Sequence, residues 1–503
     1  MMRPFHSRTT PSKPSLRSTR RRSPAVLGAL LGLGAALAAT GATEREAHAS
    51  GYLAARFGSD HGTPAMGNTF AVYFNPAAMG GATGTRLSLD ASVLYRYAQY
   101  NRGEDGISPS DPAQRDNPTY LQANTGTAKL QNMLALPFLG FMTDFGGTNF
   151  RLGVASYIPF GGAAMWDRVD ATPGVPGSKD GVQRWHNISG QILAIYNTLA
   201  ASYTIEPLDL TVGLSGSLVY HTVKTVRARN ADGSDDLASS SGRIIEGRSL
   251  LEAHGVNFGA GAGLYWQPKK LAGYSMKDRF RVGLSYTSQP GFGDTRMKGE
   301  LTQVLGSGKP GVDPIDFLQT YPDIVRLGVA HRFPGDKLEI RADGEFVRWS
   351  VFKRQCVVKP GTDCPINEAD GSAANPQAAQ DIILNVERNW QNAYGLRAGA
   401  AYWFMPELEG FFSLGFTTPA VPKSTIDAST IDSQRVYATL GGKYEFGKHF
   451  ELAGSYNHIF FVPVDTGNNN KFDRLQGASR SPSADGKYAS QIGFLNINGT
   501  YKF

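Results

Sequence analysis

Apolar and polar residues alternate one by one in segment after segment of this chain, and the links between those segments are short and long in turn. In 209–220, Leu210, Val212, Leu214, Leu218 and Tyr220 fall on one face of an extended strand, with Thr211, Gly213, Ser215 and Ser217 on the other. In 256–267, Val256, Phe258, Ala260, Ala262, Leu264 and Trp266 alternate with Asn257, three glycines, Tyr265 and Gln267. In 338–346, Leu338, Ile340, Ala342 and Phe346 alternate with Glu339, Arg341, Asp343 and Glu345. The pattern predicts fourteen strands, near 85–100, 132–145, 148–160, 190–205, 209–224, 251–267, 278–300, 323–333, 337–353, 391–405, 408–418, 434–446, 449–463 and 488–503.

A soluble β-sandwich would alternate in the same way, so the links decide. Every second one is a tight turn: Gly146-Gly147, Glu206-Pro207-Leu208, Pro334-Gly335-Asp336, Pro406-Glu407 and Gly447-Lys448, with only the link near 268–277 longer. The links between them, 101–131, 161–189, 225–250, 301–322, 354–390, 419–433 and 464–487, are all long. A sandwich has no reason to sort loop length by parity. An outer-membrane barrel does, with short periplasmic turns, long outer loops and an even strand count. The expectation is therefore an all-β, 14-stranded antiparallel transmembrane barrel over 85–503. Charged residues at 18% and 59 glycines suit it, and a mean hydropathy of −0.27 does not oppose it, because polar residues hide in the lumen. The last strand ends Leu495, Ile497, Gly499, Tyr501, Phe503, a terminal aromatic of the kind that barrel insertion machinery reads.

The net charge of +7 points away from nucleic acid, because residues 1–49 carry eight Arg/Lys and two Glu and so supply +6 of it. Arg20-Arg21-Arg22, an Ala/Leu/Gly-rich run from Ala25 to Ala39 and Ala47-His48-Ala49 follow the order of a secretory signal. Residues 1–49 are thus expected to be removed, leaving a chain that starts near Ser50 or Gly51 and resides in the outer membrane. Cys356 and Cys364, close together in a Pro/Gly-containing segment of an exported chain, favour one local disulfide over two free thiols. Two cysteines are too few for a structural zinc site, and nine scattered His show no H-E-x-x-H, so no metal and no cofactor is expected.

Residues 50–84 do not alternate, yet they are rich in Gly and apolar side chains, including Thr69-Phe70-Ala71-Val72-Tyr73-Phe74-Asn75-Pro76-Ala77-Ala78-Met79. The periplasm would leave them exposed, whereas the lumen would bury them, so they are expected to form a plug, or hatch, with Phe74, Asn75, Pro76 and Ala77 at its centre. The alternative is a disordered extension. Pro159 with Gly161-Gly162 marks either a strand irregularity or an ordinary strand end. In the link 301–322, Leu305, Ile315, Phe317 and Leu318 could line an apolar groove, whereas 225–250 is polar, with Arg227, Arg229, Asp232, Asp235, Asp236, Arg243, Glu246 and Arg248. Those arginines could hold a carboxylate, although solvation of an exposed loop is the commoner explanation.

The chain resembles the FadL/TodX family of outer-membrane transporters. The resemblance rests on Gly67-Asn68 followed by Tyr73-Phe74-Asn75-Pro76-Ala77-Ala78-Met79, on Gly283-Leu284-Ser285-Tyr286-Thr287-Ser288, and on Pro322-Asp323-Ile324-Val325-Arg326-Leu327-Gly328. It continues through Trp349-Ser350-Val351-Phe352, Tyr394-Gly395-Leu396-Arg397-Ala398-Gly399-Ala400 and Thr418-Pro419-Ala420-Val421-Pro422. It implies fourteen strands, an N-terminal plug, a mostly monomeric state and cargo drawn from long-chain fatty acids or aromatic hydrocarbons. It also implies capture by outer loops and sideways exit to membrane lipid, for which Pro159, Gly161 and Gly162 are the candidates. Other readings are a general diffusion porin and, behind it, a barrel enzyme or adhesin. Catalysis finds little support: Gly213-Leu214-Ser215-Gly216-Ser217 lacks the last glycine of a nucleophile elbow, and the Glu339/Arg341/Asp343/Glu345 row reads as compensating lumen charge.

Overall fold

The computed structural model describes residues 56–239, 241–276, 279–304 and 308–503, and the backbone of 48–53. Residues 1–47 of the expected leader lie outside the described residues, as does Leu305. Fourteen strands form one closed antiparallel ring. They are β1 (Arg86–Arg102), β2 (Gly126–Thr143), β3 (Phe150–Met165), β4 (Ser189–Ile205), β5 (Leu210–Arg229), β6 (Gly247–Trp266) and β7 (Phe280–Thr287). The other half comprises β8 (Ile324–Arg332), β9 (Leu338–Val347), β10 (Ala393–Met405), β11 (Leu408–Thr417), β12 (Arg435–Phe446), β13 (Phe450–Phe461) and β14 (Lys487–Lys502). The ring closes where β1 pairs with β14 from Arg86↔Lys502 to Asn101↔Lys487.

Burial along the strands is inverted relative to a soluble sheet. In β5, Leu214 is 69% exposed and Thr211 3%; Val212, Leu218 and Tyr220 also face out, while Gly213, Ser217 and His221 face in. An apolar outer band with a polar or small-residue lumen is what a bilayer solvent selects. Leu495, Ile497 and Tyr501 continue the band in β14.

Three strand predictions need correction beyond the membrane. The run 278–300 is not one strand: β7 stops at Thr287, and Pro290–Phe292 turns the chain, with Gly291 at φ +72°. The turn lets Asp294–Val304 pair with the outer part of β6, from Lys298↔His254 to Val304↔Arg248. The links 301–322 and 354–390 are not structureless, because Gly311–Thr320, Arg354–Val358 and Ile382–Glu387 add to Asp294–Val304 in turn as a four-stranded flap. The third concerns 337–353, which ends as a strand at Val347 and becomes a helical turn over Trp349–Val351.

The segment 56–82 lies inside the ring, since it touches strands on all sides. The Gly58 N–H donates to Asp90 of β1 (2.7 Å), Ser413 of β11 donates to Asp60 (2.7 Å), and Arg326 of β8 donates to the Tyr73 hydroxyl (2.6 Å). Arg397 of β10 donates to the Ser59 and Gly62 carbonyls, and His61 meets Glu409 of β11 at 3.0 Å. Glycine makes the fit possible: a Cβ at Gly263 would collide with Asn75 Oδ1, and one at Gly283 with the Pro64 carbonyl. The lumen charges do compensate one another, as Arg341 bridges Glu339 (2.6 Å) and Glu409 (2.7 Å), and Arg397 holds Asp343 (2.9 Å).

Candidate functional site

Three features mark the outer half of the barrel, with a column of aromatic rings running below the second. The first is a break in the wall. β2 and β3 pair from Thr143↔Leu152 only as far as Phe138↔Tyr157; beyond that Asn132 of β2 donates to the Ala163 carbonyl (3.4 Å), and just past the end of β3 come the isolated bridge Leu130↔Trp166 and the Asp167 N–H to the Lys129 carbonyl (2.9 Å). On its other side, β3 slips by one residue against β4: Tyr157 pairs Tyr196, but Phe160 pairs Ala194, so Ile158 and Pro159 together oppose Ile195. That is a β-bulge at a residue with no N–H to give to a ladder. Pro159, Gly161 and Gly162 therefore sit together at the break. Alternation is lost here, with every residue from Pro159 to Ala164 buried. The backbone of His48–Leu53 pairs with β3 along its open edge, His48↔Gly162 and Leu53↔Phe160.

The second feature is a cavity of about 80 Å³ inside the outer end of the barrel, with two unlike ends. Gly162, Ile192, Val223, Leu251, Phe317, Val357, Leu384 and Val386 supply an apolar wall; His186, Gln355, Arg227, Arg388, Asp427 and Ser429 supply a polar one. Arg388 is neutralised, donating to Asp427 (2.9 Å) and to Gln355 (2.9 and 2.7 Å). His186 is kept neutral by burial, which pushes its pKa down to about 4. The Arg227 side chain makes no hydrogen bond or ion pair among the described residues; the acidic group it feels, Asp427, is already held by Arg388, so the polar end keeps a net positive charge. Of the predicted groove residues among the described residues, Phe317 alone lines this cavity. Ile315 joins the main buried cluster, and Leu318, one residue out of phase with Phe317, packs on the opposite face of the flap with Cys356, Val358 and Ile382. Cys356 and Cys364 form a disulfide on that outer face.

A column of aromatic rings descends from the cavity past the wall break. Trp349, Phe160 and Tyr321 pack at 5.4–6.0 Å, and Phe160 passes the contact on to Tyr196 and so to Tyr157. Tyr157 meets Tyr73 (5.0 Å) and Phe57 (5.7 Å) of the N-terminal segment. In that segment Asn75 donates to the Pro64 carbonyl (2.9 Å) and the Leu264 carbonyl of β6 (3.0 Å), and its Oδ1 accepts from the Ala77 N–H. Pro76 starts the helical turn Pro76–Gly81, where a missing N–H costs nothing. Phe74 accepts a hydrogen bond from Ser285 of β7 on its carbonyl (2.6 Å).

The third feature is a closed outer cap. The charged residues of 225–250 are not merely solvated, because Asp235 and Glu246 are ion-paired inside it. Arg102 donates to Asp235 at 2.6 Å, and the Ser108 N–H and the Tyr120 hydroxyl donate to the same carboxylate. Burial, with that carboxylate beside it, drives the Tyr120 pKa far up. Arg184 donates twice to Glu246 (2.9 and 3.0 Å) and to the Ala123 carbonyl (2.7 Å), and Arg248 holds Asp180 (2.8 Å). Sequence reasoning did not find Phe160, Tyr321 or Trp349 as one column, since nothing in alternation says which lumen rings meet across a barrel.

The family described as outer membrane protein transport protein (OMPP1/FadL/TodX) matches residues 33–503. A putative outer membrane protein of Neisseria meningitidis serogroup B is 21% identical over 498 residues, covering 91% of this chain and 95% of the relative. Among solved structures, a FadL homologue of Pseudomonas aeruginosa has a TM-score of 0.66 at 16% identity, covering 91% of this chain and 98% of its own. The toluene transporter TbuX of Ralstonia pickettii scores 0.55 at 16% identity, with 87% and 94% covered. The toluene transporter TodX of Pseudomonas putida scores 0.55 at 15% identity, with 91% and 95% covered. Each of these structural likenesses concerns the fold.

Proposed function

This chain belongs to the OMPP1/FadL/TodX family of outer membrane transport proteins, and we propose that it takes up hydrophobic small molecules passively and selectively. Long-chain fatty acids and related hydrocarbons are the cargo class. In this reading the outer loops and flap capture the solute, the cavity receives it, residues 50–84 plug the direct route, and the solute leaves sideways between β2 and β3. The observation that carries the reading is the stretch of wall beside Pro159, Gly161 and Gly162 where β2 and β3 leave their common ladder, next to a column of aromatic rings that runs below the cavity. An apolar solute gains free energy by entering the bilayer directly and gains nothing from crossing an aqueous periplasm. Arg227 favours cargo with a carboxylate head, because an unpaired cation at the polar end of an apolar cavity can donate charge-assisted hydrogen bonds to it.

Residues 1–49 act in this reading as a cleaved leader, with Phe503 presented to the insertion machinery and the mature barrel working as a monomer. Uptake and conductance test the whole. Proteoliposomes should accumulate oleate or an alkylbenzene faster than liposomes without protein, while planar bilayers show little steady current. Large steady currents would instead support a general diffusion porin.

A further inference from the structure

Tyr196 of β4 and His221 of β5 both face the lumen, on adjacent strands and one step apart in register: Ala194 pairs His221, and Tyr196 pairs Val219. Such diagonal neighbours are within reach of long side chains. His221 is fully buried, and neither Nδ1 nor Nε2 has a partner among the described residues; the Tyr196 hydroxyl, also buried, has none either. A neutral imidazole carries one donor and one acceptor, and a phenol can be both. Buried polar atoms are nearly always matched, so two orphaned groups on neighbouring strands call for an occupant.

The surroundings define what kind. Tyr321 stacks on His221 at 4.9 Å, and Phe160 lies 5.4 Å from Tyr321 and 6.2 Å from Tyr196. The layer sits one inward step from Val223 on β5 and from Gly162 on β3, and two from Ile192 on β4, all three of which line the cavity. It therefore lies below the cavity at the level of the bulge, with Phe160 just outward of Pro159 and Tyr196 just inward of it. Its walls are aromatic faces on which a ring can stack, and the orphaned imidazole and phenol can pair one neutral hydroxyl or carbonyl on that ring.

We propose that Tyr196 and His221 form a hydrogen-bonding station that selects ring-bearing hydrophobic cargo carrying a neutral hydroxyl or carbonyl. The proposal rests on the transport reading above and adds a chemical criterion to it. The test uses the full mature barrel in detergent, with 4-hexylphenol and hexylbenzene as probes and quenching of tryptophan fluorescence as the signal. The preference for 4-hexylphenol should fall about tenfold in both Tyr196→Phe and His221→Phe, with hexylbenzene affinity unchanged, since a site built to pair a hydroxyl discriminates against its absence. An unchanged preference in the variants overturns the station, and water alone then fills it. Tyr196→Phe removes a single oxygen and carries the test by itself if His221→Phe does not fold. Should neither probe bind the unaltered protein, the transport reading fails first, and a bound hexylbenzene with no preference isolates the failure to the station.

Discussion

Arg102, at the outer end of β1, and Asp235, in the loop after β5, meet at 2.6 Å with neither side chain accessible to water. The pair joins segments 133 residues apart and brings the Ser108 N–H, the Tyr120 hydroxyl and the Gly106 carbonyl to the same point. Asp235→Ala would strand a guanidinium in a dry environment, at a cost of about 3–5 kcal/mol to the cap. The barrel ladder does not use this pair, so the loss should be local. Limited proteolysis should cut 103–125 and 230–246 much faster in the variant, while heat-modifiable migration of the barrel is retained. Equal cutting would show that the cap does not depend on the pair.

Acidification should loosen the same cap through His186 and Asp427. His186 packs against Phe472, lies within 3.2 Å of the Ser483 carbonyl, and feels Asp427, Arg102 and Arg227. Burial holds its pKa down to about 4, against 6.5 when unfolded, so between those values the opened loop binds a proton that the closed one refuses. Stability is therefore full above pH 6.5 and falls as the pH drops toward 4, by up to about 3 kcal/mol. Asp427 acts in the same sense: although burial opposes ionisation, Arg388 and His186 lower its pKa, and that contribution disappears as acid protonates it. Hydrogen exchange of 166–188 and 462–486 should speed up from pH 7 to pH 4.5 after correction for the intrinsic rate. Slower corrected exchange in acid would contradict the sign.

Asn75 ties the N-terminal segment to β6 and to its own Pro64 carbonyl, and Gly263 is the wall position that accommodates it. Asn75→Ala should loosen the segment by about 1–3 kcal/mol, and Gly263→Val should displace it by overlap. Both should raise ion conductance in planar bilayers, and deletion of 51–84 should raise it most. Unchanged conductance in the deletion would mean that the segment does not occlude the lumen.

Much of this was legible in the sequence for a physical reason: a barrel has one repeating rule, period two with links sorted by side. Lumen-facing Glu339, Arg341 and Asp343 and lipid-facing Leu338 and Ile340 follow from it directly. The flap did not, because Asp294–Val304 and Gly311–Thr320 alternate less cleanly and pair beyond the bilayer, where both faces are protein or water. Phe317 and Leu318 illustrate the limit: adjacent apolar residues look equivalent in a list, yet they lie on opposite faces. Arg102–Asp235 is invisible for another reason, since contact across 133 residues depends on how four loops close together.

Regularising β3 should separate binding from passage. Pro159→Val supplies the missing N–H, and Gly161→Val adds a side chain where Leu193 and Ile158 already stand 3.1–3.2 Å from a Cβ position. Together they favour a continuous β3 that can pair with β2 and close the break. Uptake of oleate into proteoliposomes should fall at least about tenfold if the break is the exit, because a sealed ladder must be opened for each molecule. Equilibrium binding at the cavity should change little, as neither residue lines it.

Arg227→Gln provides the complementary dissection. It keeps a polar side chain of similar length at the cavity while removing a cation whose side chain makes no hydrogen bond or ion pair among the described residues. A charge-assisted hydrogen bond to a carboxylate contributes about 1.5–3 kcal/mol, so oleate affinity should weaken by about 10- to 150-fold. The affinity for a neutral alkylbenzene of similar size should stay within about twofold, since its binding draws on Ile192, Val223, Leu251 and Phe317 instead. Titration of both ligands against both proteins reads this directly. An equal loss for the two would assign Arg227 to packing, and no loss for either would remove the carboxylate from the description of the cargo.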